Sequence, residues 1–187
     1  MNRKNQPIEF LTLRGRSGIF IGLIGLFGSY FIHFLIKNYS NNNSWVGFLP
    51  ITFFEYLIFA IAVLMAFLAI LISFTGARRR ARMAGQVFWS VATRKNVLLF
   101  SIPLFVGFLA CLYCYGSGKI MLTPGITLIS YGVSCIQLRI SNKRQHFFFG
   151  SIHILLGILA LIFLEYTVII WGAGFGLAHL AYGIYYR

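Results

Sequence analysis

Aspartate is absent from this chain of 187 residues, and its acids are three glutamates, Glu9, Glu55 and Glu165. So few carboxylates leave no paired-carboxylate site, and the chain also lacks a metal triad, a G-x-S-x-G elbow and a phosphate-cradling glycine loop. No catalytic residue, metal ligand or cofactor is therefore expected, and an enzyme would need an unfamiliar constellation. Cysteine is scarce as well. Cys111, Cys114 and Cys135 are an odd number set inside apolar segments, which matches neither a disulfide framework nor a zinc site. Cys111 and Cys114 form a C-x-x-C that can serve thiol redox chemistry. With no second pair, and Cys135 roughly 20 Å away by helix rise, small buried hydrophobes are the simpler reading.

What the chain has in abundance is apolar surface. Hydrophobic residues fill 59% of it and charged residues only 10%, far below the roughly one quarter charged of soluble domains. The formal charge of +13 would suggest nucleic acid in a soluble chain. Here the cations lie between long apolar runs, so anionic headgroups of membrane lipids are the expected partner and nucleic acid is not. The basic stretch to Arg16 leads into roughly 20 apolar residues without a small-residue cleavage site, so the first run is expected to be retained.

About 20 apolar residues are needed to cross the hydrocarbon as a helix. Six stretches qualify, over about 18–36, 51–74, 97–116, 120–138, 147–164 and 167–186, and together they predict one all-α transmembrane domain, a six-helix bundle. Fourteen of the 16 Lys and Arg fall on one side, leaving only Lys37 and Lys119 on the other. Cations concentrate in cytoplasmic segments, so both termini are expected inside. Tyr39, Trp45, Tyr115, Tyr166, Tyr185 and Tyr186 fall near the expected boundaries, where amphipathic rings prefer to lie.

Between the second and third spans, Arg78, Arg79, Arg80, Arg82, Arg94 and Lys95 accompany Met83, Val87, Phe88 and Val91 at helical spacing. That composition predicts a basic interfacial helix over 76–96, or else an extension of the second span. Pro7 to Leu13 reads as a shorter interfacial segment, and Asn42-Asn43-Ser44 matches a glycosylation acceptor.

Gly18, Gly22, Gly25 and Ser29 share one face of the first span, and Gly172, Gly176, His179 and Gly183 share one face of the last. Small residues at this spacing let helix backbones approach closely, within the chain or in a homodimer. His179 lies near the middle of the last span, where an ionisable group faces protein or a water cavity. A neutral imidazole bonded to a neighbouring carbonyl or hydroxyl is the simpler reading, and a relay or ligand site is the alternative. His153 reads the same way. Glu55, His33 and Glu165 gather near the opposite mouth, where carboxylates would attract cations. With His179 they define a candidate ligand or ion pathway.

The stretches Phe10–Tyr30, Gly85–Lys95 and Trp171–Ile184 together resemble a group of small, functionally uncharacterised six-helix membrane proteins of Bacteroidetes-type bacteria. More distantly, the glycine-rich hairpins are similar to the HdeD acid-resistance membrane proteins. The resemblance implies a bacterial inner membrane and six spans. It brings no established activity but suits a regulatory or stress-response role, in which the basic segment would bind lipid or dock a cytoplasmic regulator. A small transporter or channel is the alternative function.

Overall fold

The computed structural model describes residues 15–40, 45–138 and 143–185. The segment Pro7 to Leu13 and the acceptor Asn42-Asn43-Ser44 lie outside them. The helices are α1 (Arg16–Ser40), α2 (Ile51–Met83), α3 (Val91–Gly116), α4 (Thr123–Gln137), α5 (Lys143–Ile162), α6 (Thr167–Gly172) and α7 (His179–Tyr185). A 3-10 turn, Ile120–Leu122, leads into α4, and a π-helical turn, Ala173–Ala178, joins α6 to α7. No strand occurs among the described residues. Counting α6 to α7 as one span, six helices are long and apolar enough to cross a membrane.

The helix ends follow from local chemistry. Gly85, at φ +61°, stops α2 in a left-handed turn, with Gln86 N–H donating to Ala81 O at 3.0 Å and Gly85 N–H to Arg82 O at 3.2 Å. Gly118 ends α3 in the same way at φ +69°. Glycine is favoured at both places because a Cβ would clash in that conformation. Ser90 opens α3, its side chain accepting from Thr93 N–H at 3.2 Å, as an N-cap hydroxyl does.

These stops correct the expected interfacial helix over 76–96 and bear out the other reading, an extension of the second span, as far as Met83. Alanine, arginine and methionine are good helix formers, so α2 runs unbroken to Met83, and the rest of the segment is a turn and the beginning of α3. At 33 residues, α2 is about 50 Å long, against roughly 30 Å of hydrocarbon. It is therefore longer than one crossing needs, and its last turns carry Arg78, Arg79, Arg80 and Arg82.

α1 packs between α2 and the last span, α4 packs between α3 and α5, and α5 closes onto the last span. The glycine faces of α1 and the last span meet each other. A Cβ on Gly25 would stand 2.5 Å from Phe175 O, one on Gly22 2.7 Å from Leu180 N, and one on Gly183 2.7 Å from Ile19 N. Gly18 is buried in the same contact, and Gly172 and Gly176 face Ser29 and Leu26 of α1.

A second glycine seam, not expected from the sequence, joins α4 to α5. Gly125 and Gly132 are seven residues apart on one helix and oppose Gly157 and Gly150, seven apart on the other. Such close backbone approach is the main way helices pack where lipid tails remove any hydrophobic drive between them. By contrast, the sides of α2 and α3 turn Phe67, Ile70, Phe105 and Val106 outward, a surface suited to lipid tails. The central core gathers Ile21, Cys135, Phe149 and Tyr182, with Tyr131 and Phe100 against them.

Candidate functional site

The polar centre of the bundle lies where α4, α5 and the last span converge. His153 projects from α5 with 0% exposure and His179 from the start of α7 with 1%. Tyr131 of α4 reaches between them, its hydroxyl 2.8 Å from His179 Nε2. His179 Nδ1 lies 3.2 Å from Gly174 O, and His153 Nδ1 lies 2.9 Å from Phe149 O.

These partners assign the tautomers. A carbonyl oxygen only accepts, so each Nδ1 carries a proton and each Nε2 carries the lone pair. His179 Nε2 therefore accepts from the Tyr131 hydroxyl, and His179 is fully paired as a neutral imidazole. His153 Nε2 has no hydrogen-bond partner among the described residues. The Gly174 carbonyl also faces the His153 ring.

The rest of the site is aromatic. Phe149 lies 4.4 Å from the His153 ring and 5.0 Å from the His179 ring, centroid to centroid, and the two imidazoles are 5.3 Å apart and nearly perpendicular. Phe175 stacks on His179 at 5.8 Å, and Trp171, which donates to Thr127 Oγ1 at 3.0 Å, leans on Phe175 at 5.0 Å. The Cys135 thiol faces the Tyr131 hydroxyl from one turn further along α4. Toward the basic end the ring packing continues through Tyr182 to His146.

The local sequence explains the π-turn. Gly172, Gly174 and Gly176 give little side-chain resistance to widening, and Gly174 sits directly against Leu128, whose side chain would have to shift to admit a Cβ. The widened turn brings the Gly174 carbonyl to the imidazole of His179, five residues later. π-turns inside α-helices occur frequently at functional sites.

The other predicted site residues lie apart from this centre. Glu55 and His33 are half-buried on the first turn or two of α2 and the second half of α1, and Glu165 is exposed in the link between α5 and α6. No hydrogen bond among the described residues joins the three. Glu165 lines a shallow cavity of about 230 Å³ with Ile36, Met121, Leu164, Thr167 and Val168, which does not reach His179. Cys111 and Cys114 are buried free thiols on α3, Cys111 Sγ donating to Thr123 O at 3.8 Å. Among the described residues no three His, Cys, Asp or Glu side chains gather closely enough to hold a metal ion.

At the basic end, Arg78, Arg79 and Arg82 are exposed at the end of α2, and Arg80 lies 3.4 Å from Ser17 Oγ of α1. Arg94 and Lys95 are exposed on the first turn of α3. Between these cations Met83, Val87 and Val91 are 70%, 60% and 68% exposed, and Trp89 is partly so. Phe88 turns the other way and packs edge-on against Phe74 at 5.2 Å.

Sequence reasoning singled out His179 and His153 but passed over Tyr131, whose mid-span position was the available signal. A phenol far from the membrane boundary needs a buried hydrogen-bond partner. Compared with protein-family models, with curated proteins and with solved structures, the chain matches none, so its site is read from geometry alone.

Proposed function

We propose that the chain is a non-enzymatic regulatory or stress-response protein of a bacterial inner membrane, with both termini in the cytoplasm and its basic end engaged with anionic headgroups. The observation that carries this reading is the interleaving at that end. Arg78, Arg79, Arg82, Arg94 and Lys95 surround exposed Met83, Val87, Trp89 and Val91. Apolar side chains of this kind enter the headgroup boundary while cations bind anionic lipid, each worth about 1 kcal/mol near the surface. The kinship with small six-helix bacterial membrane proteins belongs to the same proposal, as does a cytoplasmic regulator bound to this end.

The test is lipid retention in native mass spectrometry from mixed phosphatidylglycerol and phosphatidylcholine. The wild type is expected to carry phosphatidylglycerol preferentially, and Arg78→Gln, Arg79→Gln, Arg82→Gln, Arg94→Gln and Lys95→Gln together should reduce that preference by more than about tenfold, as the loss of several such contacts implies. An unchanged preference would remove the headgroup reading.

The second reading is a small transporter or channel with His179 and Glu55 on its path, and the buried imidazoles are the observation favouring it. Against it, Glu55 stands near the start of α2 and His179 lies among aromatic rings on the far side of α1. The first reading is the better supported.

A further inference from the structure

We propose that His153 is the binding site for a single proton inside the bundle, an inference independent of the headgroup reading. It follows from counting donors and acceptors. In the neutral cluster the Tyr131 O–H, His153 Nδ1–H and His179 Nδ1–H each have an acceptor. One lone pair is left over, that of the fully buried His153 Nε2. A buried acceptor without a donor is costly, and a proton on that nitrogen turns it into a donor.

Burial opposes a charge on this ring, but the protonated ring would find partners in place. The Gly174 carbonyl has two lone pairs and gives one to His179 Nδ1–H. The other is open to a second donor, and this carbonyl already faces the His153 ring. Phe149 and Tyr131, at 4.4 and 5.0 Å from the ring, present π-systems that attract a cation. Proton uptake therefore breaks none of the existing hydrogen bonds. The step is simple addition: a proton from water joins the Nε2 lone pair, and imidazole becomes imidazolium.

The capacity is one proton. The titratable groups in ring contact with His153 are Tyr131 from α4 and His179 from the last span, with Cys135 against Tyr131, and Tyr182 and His146 beyond Phe149, one contact further out. None is a carboxylate that could balance a second charge. Among the described residues His179 is the only other imidazole in ring contact, and protonating it would sacrifice its bond from Tyr131 and place two cations 5.3 Å apart.

Nitrogen-15 spectra of histidine-labelled full-length protein in nanodiscs test this directly, titrated from about pH 8 to about pH 4 to span imidazole protonation. His153→Gln and His179→Gln serve only to assign signals, and the conclusion is read on the wild type. The expected result is His153 as the Nδ1–H tautomer at the alkaline end and doubly protonated at the acid end, with His179 still singly protonated at Nδ1. Three outcomes would overturn the proposal: a His153 Nε2 that stays unprotonated throughout, a His153 already carrying its proton on Nε2 at the alkaline end, or a proton appearing on His179 instead.

Discussion

Replacing Gly132 with alanine is expected to destabilise the bundle by about 2 to 3 kcal/mol, the upper part of the range for overpacking a tight contact. A Cβ there would stand 2.5 Å from Gly150 O and 3.0 Å from Ile154 N. Both atoms belong to the α5 backbone, so neither can be moved aside by a rotamer change. Two helices must separate along their whole seam to admit one methyl group, because Gly125 and Gly157 lock the same pair one heptad away. Alanine gains about 1 kcal/mol over glycine in helix propensity, which the clash outweighs. Gly116→Ala is the control. A Cβ at Gly116, the last residue of α3, meets nothing within 4 Å, so its effect should be at most about 1 kcal/mol and stabilising. Reversible unfolding in mixed micelles measures both variants. Equal stabilities for the two would show that the α4 and α5 backbones do not approach as described.

The second large effect concerns His179. His179→Ala is expected to cost about 3 to 5 kcal/mol, since it opens a cavity among Phe149, Phe175 and His153 and leaves the Tyr131 hydroxyl without an acceptor. Tyr131→Phe keeps the packing and removes only the donor, at about 1 to 2 kcal/mol. If the 2.8 Å bond couples the two residues, the double variant should cost less than the sum of the single ones by about 1 kcal/mol. Hydrogen bonds between membrane helices average about 0.6 and reach about 1.7 kcal/mol in such cycles. Strict additivity would mean that the bond makes no net contribution.

How much of this was legible in the sequence depended on the range of the interaction. The spans were legible because apolar length is a local property, and α1 with its glycine face could be read directly from Gly18, Gly22 and Gly25. The α4 and α5 seam was less legible. Gly125 and Gly132 repeat at seven residues, as do Gly150 and Gly157, yet either pair alone resembles ordinary glycine usage. Only the antiparallel pairing gives the spacing its meaning.

Of the two readings of the basic segment, the extension of the second span holds as far as Met83, and the interfacial helix fails for a different reason. Met83, Val87, Phe88 and Val91 fall at helical spacing, but Gly85 breaks the backbone between them. A single left-handed residue outweighs a four-residue periodicity. The π-turn left no trace either, because Gly172, Gly176, His179 and Gly183 already fit an ordinary helical face and nothing marks the widening between them. As for the central site, the depth of His179 could be inferred from its span, whereas its bond to Tyr131 crosses 48 positions of chain and was fixed only by how α4 meets the last span.

The proposed function stands on orientation, and site-specific thiol labelling tests it most directly. The native thiols are buried, so single exposed cysteines can be read against a quiet background. Arg79→Cys and Lys119→Cys place them at opposite ends of the bundle, where both native residues are exposed. With a membrane-impermeant maleimide on intact spheroplasts, Lys119→Cys should label at once and Arg79→Cys only after lysis. Labelling of Arg79→Cys in intact spheroplasts would place the basic end outside and contradict the account.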